Sequence, residues 1–211
     1  VLFRSGGQAV RLIRAVPMLL LLLLCACGTD QTSAQTPVRF RTGLTESGGC
    51  TYDLQLRADY GEYIRDFTLE CQYDGSGAEF TVTAPENAQG ITATVSGDGA
   101  KVSYDSTVLA VENFETRKIS PMAAPYLLGQ AWEQGYIAST GMDGDRENVT
   151  YTLGYGNETL EITTAFSQGI PVWAEISDGS HNLITCEISN LNLQKKEVND
   201  HEDVKTNLGG D

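Results

Sequence analysis

From Cys50 to Ala58 the chain alternates with a period of two. Cys50, Tyr52, Leu54, Leu56 and Ala58 point one way, while Thr51, Asp53, Gln55 and Arg57 point the other. A helix would scatter these apolar positions around its axis, whereas a strand gathers them on one face, so the segment is read as a half-buried strand. Asp59-Tyr60-Gly61-Glu62 reads as a turn, and a second strand is expected over 63–73. Further strands are expected at 79–84, 91–96, 101–104, 108–111, 148–155, 159–166, 171–177 and 183–193. Turns such as Asp74-Gly75-Ser76-Gly77 and Gly97-Asp98-Gly99 separate them. Two segments break the pattern. Pro37 opens a short helix with Phe40 and Leu44 four apart on one face, stopped at Gly48-Gly49. Ser120-Pro121 opens another, in which Leu127, Leu128, Ala131 and Trp132 recur at helical spacing up to Gly135. Many short antiparallel strands with a helix inserted mid-chain define an α+β fold. So long a sheet must curve, and the helices are the obvious cover for one face.

The N-terminal segment follows different rules. Arg4, Arg11 and Arg14 precede an apolar run over 15–24, the two parts of an export signal, and the run is short for a membrane span. It ends in Leu24-Cys25-Ala26-Cys27, which resembles the bacterial lipobox, with Cys27 as the residue that receives the lipid. Cys25 fits worse, because bulky Leu24 precedes it; an ordinary secretory signal is the alternative. The expected organisation is a lipoprotein signal peptide over 1–26, a lipidated cysteine and polar tether over 27–36, a folded domain over 37–193, and a charged, disordered tail over 194–211. The expected location is the extracytoplasmic face of the cell membrane, held by acyl chains such as palmitate on Cys27.

Charge narrows the partners. The chain carries a net −14, and removal of residues 1–26 takes away three arginines and no acid, giving −17. Such a surface is unsuited to nucleic acid, whose phosphates require Lys and Arg. It is also repelled by anionic lipid, so membrane attachment is expected from the anchor rather than the protein surface.

Residues with catalytic or metal-binding chemistry are sparse. His181 sits in a turn with Asp178 and Ser180, and His201 lies in the tail. Neighbours in one tight turn cannot converge as nucleophile, base and orienter, so no enzyme is expected. Asp143-Gly144-Asp145 has alternating acids, but the following positions lack the Gly and Glu of a calcium-binding EF-hand loop. No Cys-x-x-Cys or His/Cys cluster is present, so no metal or cofactor is expected.

The order of elements resembles the LolA-like lipoprotein superfamily. The resemblance covers most of residues 37–193 and rests on four segments. They are the leading helix with Phe40 and Leu44, the hairpins around 80–92, the helix from Ser120-Pro121 to Ile137, and the closing strands. In the last, Gly169-Ile170-Pro171-Val172-Trp173-Ala174-Glu175-Ile176 is followed by Cys186-Glu187-Ile188-Ser189-Asn190-Leu191. It looks closest to uncharacterised lipoproteins of clostridia. The resemblance implies a curved antiparallel half-barrel with one or two helices in its concave face. It also implies one of two functions: carriage of a lipid or acyl chain, or regulation of a cell-envelope enzyme as an interaction module. The departure is the anchor, because a tethered chain cannot ferry cargo across an aqueous gap. It can receive, present or sense it.

Two further expectations come from the residues themselves. Tyr52, Tyr63 and Phe67 fall on the inward face of the first hairpin, and Leu128 and Trp132 project from the central helix. These five either pack as core or line an apolar ligand pocket between sheet and helix. In addition, if Tyr60-Gly61 is a two-residue hairpin loop, paired residue numbers sum to 121 and Cys50 faces Cys71. A non-hydrogen-bonded pair places its Cα atoms about 4.5 Å apart, near the short end of the disulfide range. A Cys50–Cys71 bridge is therefore expected, with Cys186 a buried thiol; the alternative is two small residues packed side by side.

Overall fold

The computed structural model describes residues 35–61, 63–112, 120–154, 156, 159–178 and 182–194. The expectations for the signal peptide, Cys27, the tail, His181 and His201 lie outside these residues.

A helix α1 (Gln35–Ser47) leads into a first run of strands: β1 (Cys50–Asp59), β2 (Ile64–Tyr73), β3 (Gly77–Ala84), β4 (Thr92–Ser96), β5 (Gly99–Tyr104) and β6 (Thr107–Glu112). A 3-10 turn (Pro121–Ala123) and helix α2 (Ala124–Gln134) follow. The second run is β7 (Tyr136–Asp143), β8 (Arg146–Leu153), β9 (Leu160–Ser167), β10 (Ile170–Ser177) and β11 (Asn182–Leu193). All pair antiparallel in one open sheet of order β6-β5-β4-β3-β2-β1-β11-β10-β9-β8-β7. The first and last strands therefore meet at the centre, and the two edges are β6 and β7.

The expected strand alternation appears in β1, where Cys50, Tyr52, Leu54, Leu56 and Ala58 are all buried. In α1 the two apolar positions four apart, Phe40 and Leu44, face the core, and Pro37 is buried with them. Strand β7 was not expected. Its residues, YIASTGMD, lack a clean alternation and are mostly exposed, so no buried face writes itself into the sequence. Pairing with β8, from Tyr136 opposite Thr152 to Asp143 opposite Arg146, is what makes it a strand.

Curvature follows from what α2 touches. Tyr73 of β2 donates a 2.6 Å hydrogen bond to Glu133 Oε2, and the preceding residue of the helix, Trp132, donates through Nε1 to Thr164 of β9. β2 and β9 are four strand spacings apart, about 19 Å on a flat sheet. A helix with its side chains is only about 10–12 Å across. The sheet must wrap around α2, and it forms the curved α+β arrangement with both helices on its inner face.

The first hairpin corrects the expected register. The ladder pairs Cys50 with Tyr73, Tyr52 with Cys71, Leu54 with Leu69 and Asp59 with Ile64, so partner numbers sum to 123, not 121. The turn is displaced by one residue rather than closed at Tyr60-Gly61: Tyr60 N–H donates to Tyr63 O at 3.0 Å, in register with the same ladder, and Gly61 N–H donates to Asp59 Oδ1 at 2.8 Å. A shift of two in the sum keeps every side chain on its face but moves its partner by two positions. Cys50 and Cys71 become diagonal neighbours, for which Cα separations of about 7–8 Å are usual, beyond the reach of an unstrained disulfide. Both are free, buried thiols, as is Cys186.

Candidate functional site

Helix α2 is fastened to the inner face by side chains from several elements. Near its start, the buried Tyr52 hydroxyl donates to Pro125 O at 3.0 Å. In the middle, the Tyr73 ring lies flat against Gly129, where a Cβ would come within 2.2 Å of it. Gln130 Nε2 donates to the Tyr73 hydroxyl at 3.0 Å, while that hydroxyl donates to Glu133. Burial and the Glu133 carboxylate both push the Tyr73 phenol well above its ordinary pKa, so it is a fixed donor. At the end, Arg41 of α1 donates from Nε to Trp132 O at 2.9 Å and from Nη2 to Gly135 O at 2.6 Å. A guanidinium thus caps carbonyls that the last helical turn leaves unpaired.

These fastenings leave a gap beside the leading end of α2. Leu56 of β1, Phe67 and Leu69 of β2, and Phe80 and Val82 of β3 are adjacent inward positions. Ala88 and Ile91, from the connection after β3, and Pro121 and Met122, from the 3-10 turn, close the other sides of an apolar cavity of about 230 Å³. The turn is held by Ser120, whose hydroxyl accepts from Met122 N at 3.3 Å. No titratable side chain lines the cavity. Its chemistry is that of a site for hydrocarbon, without a nucleophile, acid or base.

Of the five side chains expected at a pocket, Phe67 alone lines this cavity. Tyr52, Leu128 and Trp132 are buried core: Trp132 meets Phe40 and Tyr52 edge to face, with centroids 5.7 and 5.6 Å apart. Tyr63 is corrected outright. The displaced turn places it at the hairpin end, opposite Tyr60, and leaves it 60 % exposed. Leu56, Leu69, Phe80, Val82 and Met122 were missed as lining residues. Alternation marks the first four as inward, but whether an inward side chain meets another atom or a void depends on the sheet's curvature.

Two buried polar atoms without a hydrogen-bond partner among the described residues, Glu147 Oε1 and the Tyr151 hydroxyl, belong to β8 and line no part of the cavity. No group of His, Cys, Asp and Glu among the described residues is arranged to hold a metal ion. No helix among them is long and apolar enough to cross a membrane.

No protein-family model matches the chain, and no curated protein matches it. Solved structures do. The chain is similar to a LolA superfamily protein from Nitrosomonas europaea, at 10 % identity and a TM-score of 0.47, over 78 % of this chain and 94 % of that one. It is also similar to a DUF1329 family protein from Desulfovibrio piger, at 11 % identity and 0.46, over 77 % and 92 %. A third is the Mycobacterium tuberculosis lipoprotein LppX, at 13 % identity and 0.40, over 78 % and 97 %.

Proposed function

We propose that the protein is a lipoprotein, anchored through Cys27 at the extracytoplasmic face of the cell membrane, that holds part of a lipid acyl chain between its sheet and the 3-10 turn before α2. The observation that carries this reading is the 230 Å³ cavity with an entirely apolar lining. A void of this kind loses packing contacts and persists as a defect unless something apolar fills it. Its volume is below the roughly 300–1,000 Å³ of pockets that engulf a drug-sized ligand. The match is therefore to one end of a hydrocarbon chain rather than to a whole lipid. An anchored protein with such a site receives or presents a lipid at the membrane and does not shuttle it.

Photo-crosslinking tests the reading. The chain is incubated with a fatty acid bearing a diazirine near its methyl end, and the labelled peptides are mapped. Adducts are expected on peptides carrying Phe67 and Met122, and Met122→Trp, which fills the cavity, should suppress them. Labelling scattered over the surface and indifferent to Met122→Trp would exclude the site.

A further inference from the structure

The sheet face opposite the helices carries a second concavity, a groove of about 440 Å³. One side of it is a register row across five strands, in which Trp173 of β10, Glu187 of β11, Gln55 of β1, Thr68 of β2 and Ala84 of β3 are successive cross-strand partners; Asp66, Arg57 and Thr185 of the next row line it as well. Trp173 lies at one end of it and Ala84-Pro85 at the other. Four strand spacings make the row about 19 Å long, the span of five or six extended residues.

The chemistry of the row is uneven. Arg57, the one cation in the lining, is paired with Asp66 at 3.7 Å. Glu187 and Glu175 have no such partner among the described residues, and both neighbour the half-buried Trp173, one across the ladder and one two positions along the same face. Burial holds the Glu175 carboxyl above its ordinary pKa, as expected of an acid with no cation beside it. An indole flanked by two uncompensated carboxylates suits a cation, which gains from the ring face and from both charges. A second copy of this chain is a poor occupant, since each carries a net −14.

We propose that this groove docks an extended lysine- or arginine-bearing segment of a partner protein, seating one cationic side chain on the Trp173 ring between Glu175 and Glu187. The site is on the opposite face from the apolar cavity, with Leu56 and Phe67 bordering both.

The test uses the full chain in a non-ionic detergent with a labelled peptide of ten lysines, and chitohexaose as the neutral comparison. The peptide should bind, bind less as NaCl rises from roughly 50 to 300 mM, and alter the tryptophan emission. Trp132 is fully buried, so the change reports on Trp173. Trp173→Ala should weaken binding about tenfold, as should the pair Glu175→Gln with Glu187→Gln. Glu187 is exposed, so Glu187→Gln alone, expected to weaken binding several-fold, keeps the test independent of whether Trp173→Ala folds. Glu79→Gln, an outer-face acid beyond the groove, should leave binding unchanged. Equal losses at Glu79 and Glu187 would reveal diffuse charge attraction and overturn the site. So would an unaffected Trp173→Ala, or binding of chitohexaose without the peptide.

Discussion

Trp132 Nε1 donates a 3.1 Å hydrogen bond to Thr164 Oγ1, and both residues are wholly buried. The bond joins α2 to β9, while the same indole packs edge to face on Tyr52 of β1 and Phe40 of α1. One side chain therefore ties together both halves of the sheet and both helices. Thr164→Val keeps the shape but orphans the indole N–H, an expected loss of about 1–3 kcal/mol. Trp132→Phe with Thr164→Val should cost less than the sum of the single changes, because the orphan is then gone. Urea unfolding of the four proteins measures the coupling, and strict additivity would contradict the bond's role.

At Gly129 the usual helix preference should be reversed. Replacing an interior helical glycine with alanine ordinarily stabilises by about 1 kcal/mol. Here the new Cβ would lie 2.2 Å from Cδ2 of Tyr73, whose hydroxyl is held by Glu133 and Gln130, so the ring cannot swing aside freely. Gly129→Ala should destabilise by roughly 1–3 kcal/mol, read as a lowered urea midpoint. Tyr73→Leu should largely remove the penalty. A stabilised Gly129→Ala would show that the helix and β2 are not in this close contact.

Arg41→Ala should loosen the end of α2. The guanidinium caps Trp132 O and Gly135 O and lies 6.0 Å from the Tyr151 ring centroid. Charge-assisted bonds of this kind are worth about 1.5–3 kcal/mol. Arg41→Lys should recover only part, because the two bonds come from different nitrogens of a planar guanidinium, a spacing that a single ammonium nitrogen does not reproduce. Hydrogen exchange of the last-turn amides should quicken in Arg41→Ala; protection equal to the native chain's would refute the capping role.

The buried thiols predict an alkaline limit to stability. Burial pushes Cys50 from an ordinary 9.0 up to about 12, and raises Cys71 and Cys186 as well. These groups are neutral when protonated, so the fold keeps protons that the unfolded chain loses above pH 9. The unfolded state then binds fewer protons, and stability falls as pH rises. The contribution is whole below pH 9 and is lost as pH climbs through about 12. Tyr52 and Tyr73, also raised by burial, extend the loss above pH 10. A urea midpoint that stays level between about pH 8 and about pH 11 would contradict this. Near neutral pH all three thiols should resist iodoacetamide until the chain is unfolded, and peptide mapping should recover Cys50 and Cys71 unbridged.

How far the fold was legible depended on whether burial left a mark. Strand β1 and helix α1 were legible because each has one wet and one dry side, and a dry side imposes a period on the residues that line it. Strand β7, mostly exposed, imposed none. The hairpin of β1 and β2 shows the boundary. Period-two alternation assigned every strand residue to its face, and those assignments survive the displaced turn. The partner of each residue did not survive, because partners depend on how the loop closes. For Cys50 and Cys71 that loop decided between a bridge and two separate thiols.

The same division runs through the candidate site. The sequence alone determined the α+β class, the inward faces of the strands, the two helices and the acidic surface, all of which follow from local period and composition. Only the tertiary structure decided that Trp132 and Tyr52 fill the core while Phe67 and Met122 border a void, and that Trp173 and Pro85 line one groove. Both outcomes depend on how tightly an eleven-stranded sheet wraps a single helix. That curvature is the summed twist of strands far apart in the chain, and no segment of the sequence carries it.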